Sequence, residues 1–154
     1  MFQANSQFRR SPGAARVIHV RVVWVSSVVL FLGCGGTETA GELQPTLGDL
    51  QSAVFTPACA TSGCHDAATV AGELDLSTTS RSYEGMVGVP SRNRVAKENA
   101  WLMIKPGEAE RSFLVRKLDG PGLGEGDPMP SETEMLSAYY RDLVVQWISE
   151  GAAP

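Results

Sequence analysis

Apolar positions recur at helical spacing in three stretches of the chain. In TLGDLQSAVF, Leu47, Leu50 and Val54 fall on one face, and Thr46 with Asp49 supplies a capping signal ahead of them. This predicts a short amphipathic helix that Pro57 stops. SFLVRKL (112–118) predicts a second short helix, with Phe113, Leu114 and Leu118 on one side. The longest predicted helix opens at the capping box SETE (131–134) and runs to Ser149 or Glu150, where Gly151 ends it. Its apolar stripe is Leu136, Tyr139, Leu143, Val144 and Trp147, wide enough to pack across another helix.

Between these helices the pattern weakens. Residues 66–93 alternate small apolar side chains with Gly, Ser and Thr, giving irregular chain with at most one short helix around Tyr83 to Val87. LDL (74–76) and WLMIK (101–105) carry strand-like patterns and are expected to pair as a small two-stranded ribbon. The segment DGPGLGEGDPMP (119–130) is rich in Gly and Pro and predicts no regular structure.

The N-terminus has a different character. Arg9, Arg10, Arg16 and Arg21 form a basic leader with no acidic residue, and the uncharged run VVWVSSVVLFLG (22–33) follows it. That run is too short to span a bilayer comfortably, and basic, apolar and small residues in this order describe a secretory signal. The tetrapeptide FLGC, ending at Cys34, resembles the lipobox of bacterial lipoproteins, with Phe31 where the usual pattern prefers Leu. The resemblance implies cleavage before Cys34 and acylation there, and two or more acyl chains hold a protein firmly to a membrane; the alternative reading is an uncleaved N-terminal anchor. Arg9-Arg10 lack the downstream apolar residues of a twin-arginine export signal. Gly35 after the lipid cysteine leans toward the outer membrane. The expected organisation is therefore a signal peptide over 1–33, a flexible tether over 34–45 rich in Gly, Thr and Glu, and one folded domain over 46–154.

The whole chain has 13 Lys and Arg against 17 Asp and Glu, and the domain alone is more acidic because the leader takes four arginines. This excess argues against nucleic acid as a partner.

With Cys34 assigned to lipid, Cys59 and Cys64 remain, and with His19 in the leader, His65 is the domain's single histidine. It directly follows the second cysteine in FTPACATSGCHD (55–66). Three readings compete. A Cys59–Cys64 disulfide suits a compartment outside the cytoplasm. A structural zinc ion needs about four N or S ligands, and this domain offers three, two of them adjacent. The third is a variant of the C-x-x-C-H signature of c-type haem attachment, here with four residues, ATSG, between the cysteines. In that arrangement two thiols clamp one edge of the porphyrin and hold the imidazole beneath iron.

A histidine-bound haem used for electron transfer takes a sixth ligand, commonly a Met thioether. The domain contains Met86, Met103, Met129 and Met135. Met103 and Met135 read as core residues, and Met86, in EGMVG, is a second candidate ligand. Met129 is the first choice, because it sits in a Gly/Pro loop just before the terminal helix and Pro130 keeps its surroundings out of helix.

Taken together, the short helix, Cys59…Cys64-His65, a long irregular middle, Met129-Pro130 and a C-terminal helix ending WISEGA resemble a monohaem class I cytochrome c domain, in a bacterial lipoprotein version. The resemblance covers nearly all of the domain. It implies an all-α, cytochrome c-like fold with crossing N- and C-terminal helices and one covalently attached haem c. His65 and Met129 would be its iron ligands, with Trp147 and Tyr139 or Tyr140 near the crossing. It also implies electron transfer with redox partner proteins rather than catalysis, from a lipid anchor in the cell envelope, at the periplasmic side of the outer membrane or at the cell surface. For Arg116, Lys117 and Trp101 the two readings are bonding to haem propionates and simple surface solvation.

Overall fold

In the computed structural model, which describes residues 41–131 and 135–154, Thr46 is the first helix cap. Its backbone is extended, at φ −117° and ψ 151°, and its Oγ1 accepts the Asp49 N–H at 3.3 Å. The Asp49 carboxylate in turn accepts the Gln44 N–H at 2.7 Å. The first of these bonds satisfies a donor that the helix start leaves open. Together they fix the chain from Gln44 onward, so the last part of the expected tether is already tied to the domain.

Helix α1 (Leu47–Leu50) does not stop at Pro57. It continues as a π-helical segment, Gln51–Cys59, with Pro57 inside it. Proline has no N–H to donate and its ring crowds the carbonyl one turn back. The wider register accommodates both defects, and the segment closes with the Ala60 N–H bonded to the Phe55 carbonyl at 2.7 Å. The consequence is positional: Cys59 is the last residue of a helix whose Leu47, Leu50, Val54 and Phe55 are all buried.

Four further α-helices follow among the described residues: α2 (Thr79–Met86), α3 (Arg94–Glu98), α4 (Phe113–Asp119) and α5 (Ala138–Ser149). Side-chain caps start α2, α3 and α5, where Thr78, Asn93 and Ser137 accept the N–H groups of Arg81, Ala96 and Tyr140. Helix α5 begins later than its capping box predicted. Residues 132–134 lie outside the described part, Met135 to Ser137 are not helical, and Ser137 takes the cap. The buried face of α5 is Val144, Trp147 and Ile148, whereas Tyr139 is half exposed.

The expected ribbon between 74–76 and 101–105 does not form. Residues 101–105 instead make isolated bridges elsewhere, Val87 to Ile104, Pro90 to Leu102 and Leu102 to Ser112. The backbone of 74–76 is taken up by the turn that carries His65, as described below. The domain is mostly helical, and the all-α expectation stands at that level. Its core joins Leu47, Leu50, Val54 and Phe55 to Leu76, Met86, Ile104, Val144, Trp147 and Ile148. The first and last helices meet directly, with the Trp147 ring set edge-on to Phe55 at 6.4 Å between centroids. No helix among the described residues is long and apolar enough to cross a membrane.

Candidate functional site: the Cys-His turn and the Met129 loop

The segment after the π-helix is a short turn held by its own backbone. The Cys64 N–H donates to the Thr61 carbonyl at 3.0 Å, and the His65 N–H donates to the Cys59 carbonyl at 3.1 Å. Gly63, at φ +85°, supplies the left-handed residue this turn requires. The four intervening residues are thus used to loop out and return, bringing Cys59, Cys64 and His65 to one end of the π-helix.

Cys59 and Cys64 are both free thiols, the first partly buried and the second exposed. Burial, and after it the neighbouring Cys64, push the Cys59 thiol from its ordinary value up to about 11. Cys59 is therefore a neutral thiol at physiological pH, packed against the edge of the core.

His65 is oriented by the segment that follows it. Its ring Nδ1 lies 3.2 Å from the Leu74 carbonyl oxygen. A carbonyl only accepts, so Nδ1 carries a proton in this contact, and the neutral ring so held has its lone pair on Nε2. Two more backbone bonds fix the return, Ala71 N–H to Cys64 carbonyl at 2.9 Å and Leu76 N–H to His65 carbonyl at 2.8 Å. This closure is strained. Val70, a β-branched residue, sits at φ 48°, and Glu73 at φ 60°. Such positions cost on the order of 1–3 kcal/mol each, and they persist only where the surroundings impose them.

Met129 lies in a second structure, the loop 119–130, anchored to α4. The Met129 N–H donates to the Lys117 carbonyl at 2.8 Å. The centre of the loop is Glu125, only 4% exposed. Arg116 grips its carboxylate with Nε at 3.1 Å and Nη2 at 2.5 Å, and the Gly122 N–H adds a bond at 2.8 Å. The guanidinium also lies 4.3 Å over the Trp101 ring, which itself stacks on Phe113. Lys117 donates through Nζ to the carbonyls of Glu125 and Asp127. Desolvation lowers the Lys117 ammonium from its ordinary value, with the charges of Asp127 and Glu125 opposing that shift. Gly124 fits close beside α3, where a Cβ would come within 2.8 Å of Val95 Cγ2.

The surface-solvation reading of Arg116 and Lys117 is therefore replaced: both are spent on shaping the loop. Met129 itself is 40% exposed, so its thioether is not consumed by the core. Met86 is fully buried in the core, at 0% exposure. Met135, expected in the core, is 70% exposed. Cys34 lies outside the described residues.

Two supports escaped the sequence. Gln51 reads as the polar side of an amphipathic helix, yet it is buried and hydrogen-bonded. The pairing of Arg116 with Glu125 had one signal, an acidic residue set between glycines in the middle of GPGLGEGDP. The donor types present, two free thiols, an imidazole oriented through Nδ1 and the thioether of a part-exposed methionine, are those a covalent haem with nitrogen and sulfur ligands takes. Comparison with protein-family models, curated proteins and solved structures finds no match to this chain.

Proposed function

We propose that this domain is a cytochrome c-like electron-transfer module carrying one haem c, held outside the cytoplasm by a lipid on Cys34. Cys59 and Cys64 are the attachment points, and His65 and Met129 the two iron ligands. When bound, the haem supplies a single-electron redox centre. The chain's own contribution is to hold His65 with its proton on Nδ1, to keep Cys59 at the end of the π-helix with Cys64 in the turn that follows, and to present Met129 from a loop clamped by charge.

The observation that carries this reading is the contact between His65 Nδ1 and the Leu74 carbonyl. A metal-binding imidazole commonly donates its other N–H to a carbonyl or carboxylate, which fixes the tautomer and raises ligand basicity. In a disulfide-closed turn His65 would need no such orientation. With His65 and Met129 both holding the haem, the module would pass electrons between redox partner proteins in the cell envelope and would perform no oxygen or peroxide chemistry. Its acidic surface suits protein partners rather than nucleic acid.

Carbon monoxide tests the ligand assignment on the haem-bearing protein. The reduced wild type is expected not to bind it, whereas Met129→Ala binds it stoichiometrically and shows a lower reduction potential. Met135→Ala is expected to behave as wild type. Ready binding by the wild type would remove Met129 as a ligand and favour an open-site sensor or enzyme.

A further inference from the structure

His65 meets the Leu74 carbonyl, and two residues further on the Leu76 carbonyl of the same segment is held by one buried side chain. Gln51 lies in the π-helix and is 7% exposed. Its Nε2 donates to the Leu76 carbonyl at 2.8 Å and to Thr56 Oγ1 at 3.0 Å, and its Oε1 accepts from Ser82 Oγ at 2.7 Å. Because the Leu76 carbonyl accepts only, the amide must face it with nitrogen, so its orientation is determined. The same Leu76 donates its N–H to the His65 carbonyl, and two residues earlier the Leu74 carbonyl meets His65 Nδ1.

From this chain of contacts we infer that Gln51 is a positioning residue for His65. It fixes residues 74–76 against the helix that ends in Cys59, and thereby sets the imidazole's orientation and tautomer relative to the two thiols. The Leu76 side chain, 3% exposed, anchors the same segment to the core, but an apolar side chain in a core does not fix where a backbone carbonyl points. The buried amide does, because losing it strands the Leu76 carbonyl. Free of Leu74, a neutral imidazole in water prefers its proton on Nε2, the nitrogen that must be bare to bind a metal. Gln51 thus acts against that preference. What His65 binds rests on the reading given above; the positioning itself does not.

The test uses the full chain purified from its native membrane, with ¹⁵N-labelled histidine and haem content measured first. Gln51→Met loses all three of the amide's hydrogen bonds, whereas Ser82→Ala loses only the one the two residues share. The first variant cuts the link to Leu76, and the second leaves that link in place. If haem is present, the His65 Nδ1–H should exchange slowly with solvent in wild type and Ser82→Ala, and at least tenfold faster in Gln51→Met. If haem is absent, the proposed function fails, and the ¹⁵N shifts at about pH 8, where imidazole is neutral, still decide the positioning. Wild type and Ser82→Ala should then carry the proton on Nδ1, and Gln51→Met mainly on Nε2. Should Gln51→Met not fold, Gln51→Asn keeps the amide but withdraws it from Leu76, and the same shift is expected. Wild-type signals in the Gln51 variants, equal shifts in Ser82→Ala, or a wild type already protonated on Nε2 would each overturn the inference.

Discussion

Truncating Trp147 to alanine is expected to lower folding stability by about 3–5 kcal/mol, the usual cost of removing a large buried aromatic. Trp147 is 2% exposed and is the largest of the fully enclosed side chains. It joins α5 to the π-helix through its edge contact with Phe55, and its indole N–H donates to the Ala153 carbonyl at 2.9 Å. Its neighbours on the same face, Val144 and Ile148, are fully buried and cannot collapse far into the space left behind. A domain of this size has about 5–15 kcal/mol in total, so the variant should sit near the edge of folding. The effect also falls on the site, because the helix against which Trp147 packs ends at Cys59. Denaturant melts of wild type, Trp147→Ala and Trp147→Phe check this. Phenylalanine should recover more than half of the loss, and a cost of about 1 kcal/mol or less for alanine would mean that the two helices do not depend on this contact.

The second large effect is expected at Glu125. Replacing it with alanine removes a carboxylate bonded to Arg116 and to the Gly122 N–H. Breaking a fully buried ion pair costs about 3–5 kcal/mol, but the Arg116 side chain is 37% exposed and solvent screens it, so about 2 kcal/mol is expected. The pH dependence has a definite sign. The bond from Arg116 holds the Glu125 carboxyl below its ordinary value, against the opposing effect of desolvation. A depressed carboxyl stabilises the fold above its unfolded value, about 4.3, and the contribution is lost as pH falls through the folded value. Wild type should therefore lose stability below about pH 4 more steeply than Glu125→Ala. The loop should open with it, which limited proteolysis between Gly120 and Gly126 would detect. Parallel acid profiles for the two proteins would show that the Arg116 bond does not carry the loop.

Much of the helical layout was legible because it depends on local chemistry. Caps such as Thr46, and the apolar spacing of Leu47, Leu50 and Val54, act within one or two turns. The failures have physical causes of the same scale or larger. Pro57 was read as a stop, since a proline excludes the ordinary helical bond pattern, but a widened helix passes it because Phe55 and Val54 gain burial on the core side. Helix α3 was missed although Asn93 ahead of RVAKE is a cap signal; five residues are too few for a convincing period. The capping box at Ser131 is a local signal, but it is Ser137 that caps the final helix, six residues further on.

At the site, sequence named Cys59, Cys64, His65 and Met129 from spacing and residue type. It did not show how His65 is aimed or how the Met129 loop is shaped. Both depend on contacts between residues far apart in the chain. Gln51 reaches Leu76 and Ser82, and Asn93 reaches Gly124 through its side-chain amide at 3.2 Å. A polar residue in an amphipathic pattern is ordinarily a solvated one, so nothing in the one-dimensional pattern marks a buried glutamine. LDL failed as a strand for the same reason: its backbone bonds go to His65 and to the Gln51 side chain.

An alkaline pyridine haemochrome spectrum of the protein from its native membrane, taken after acid–acetone extraction, bears most directly on the claim that this is a haem c module. The account predicts that haem stays with the polypeptide and absorbs as a haem with two saturated vinyl groups, attached through both Cys59 and Cys64. A band shifted toward one unsaturated vinyl would leave a single cysteine in use. The absence of any haem absorption would contradict the account and leave a domain whose two thiols are free to close as a disulfide.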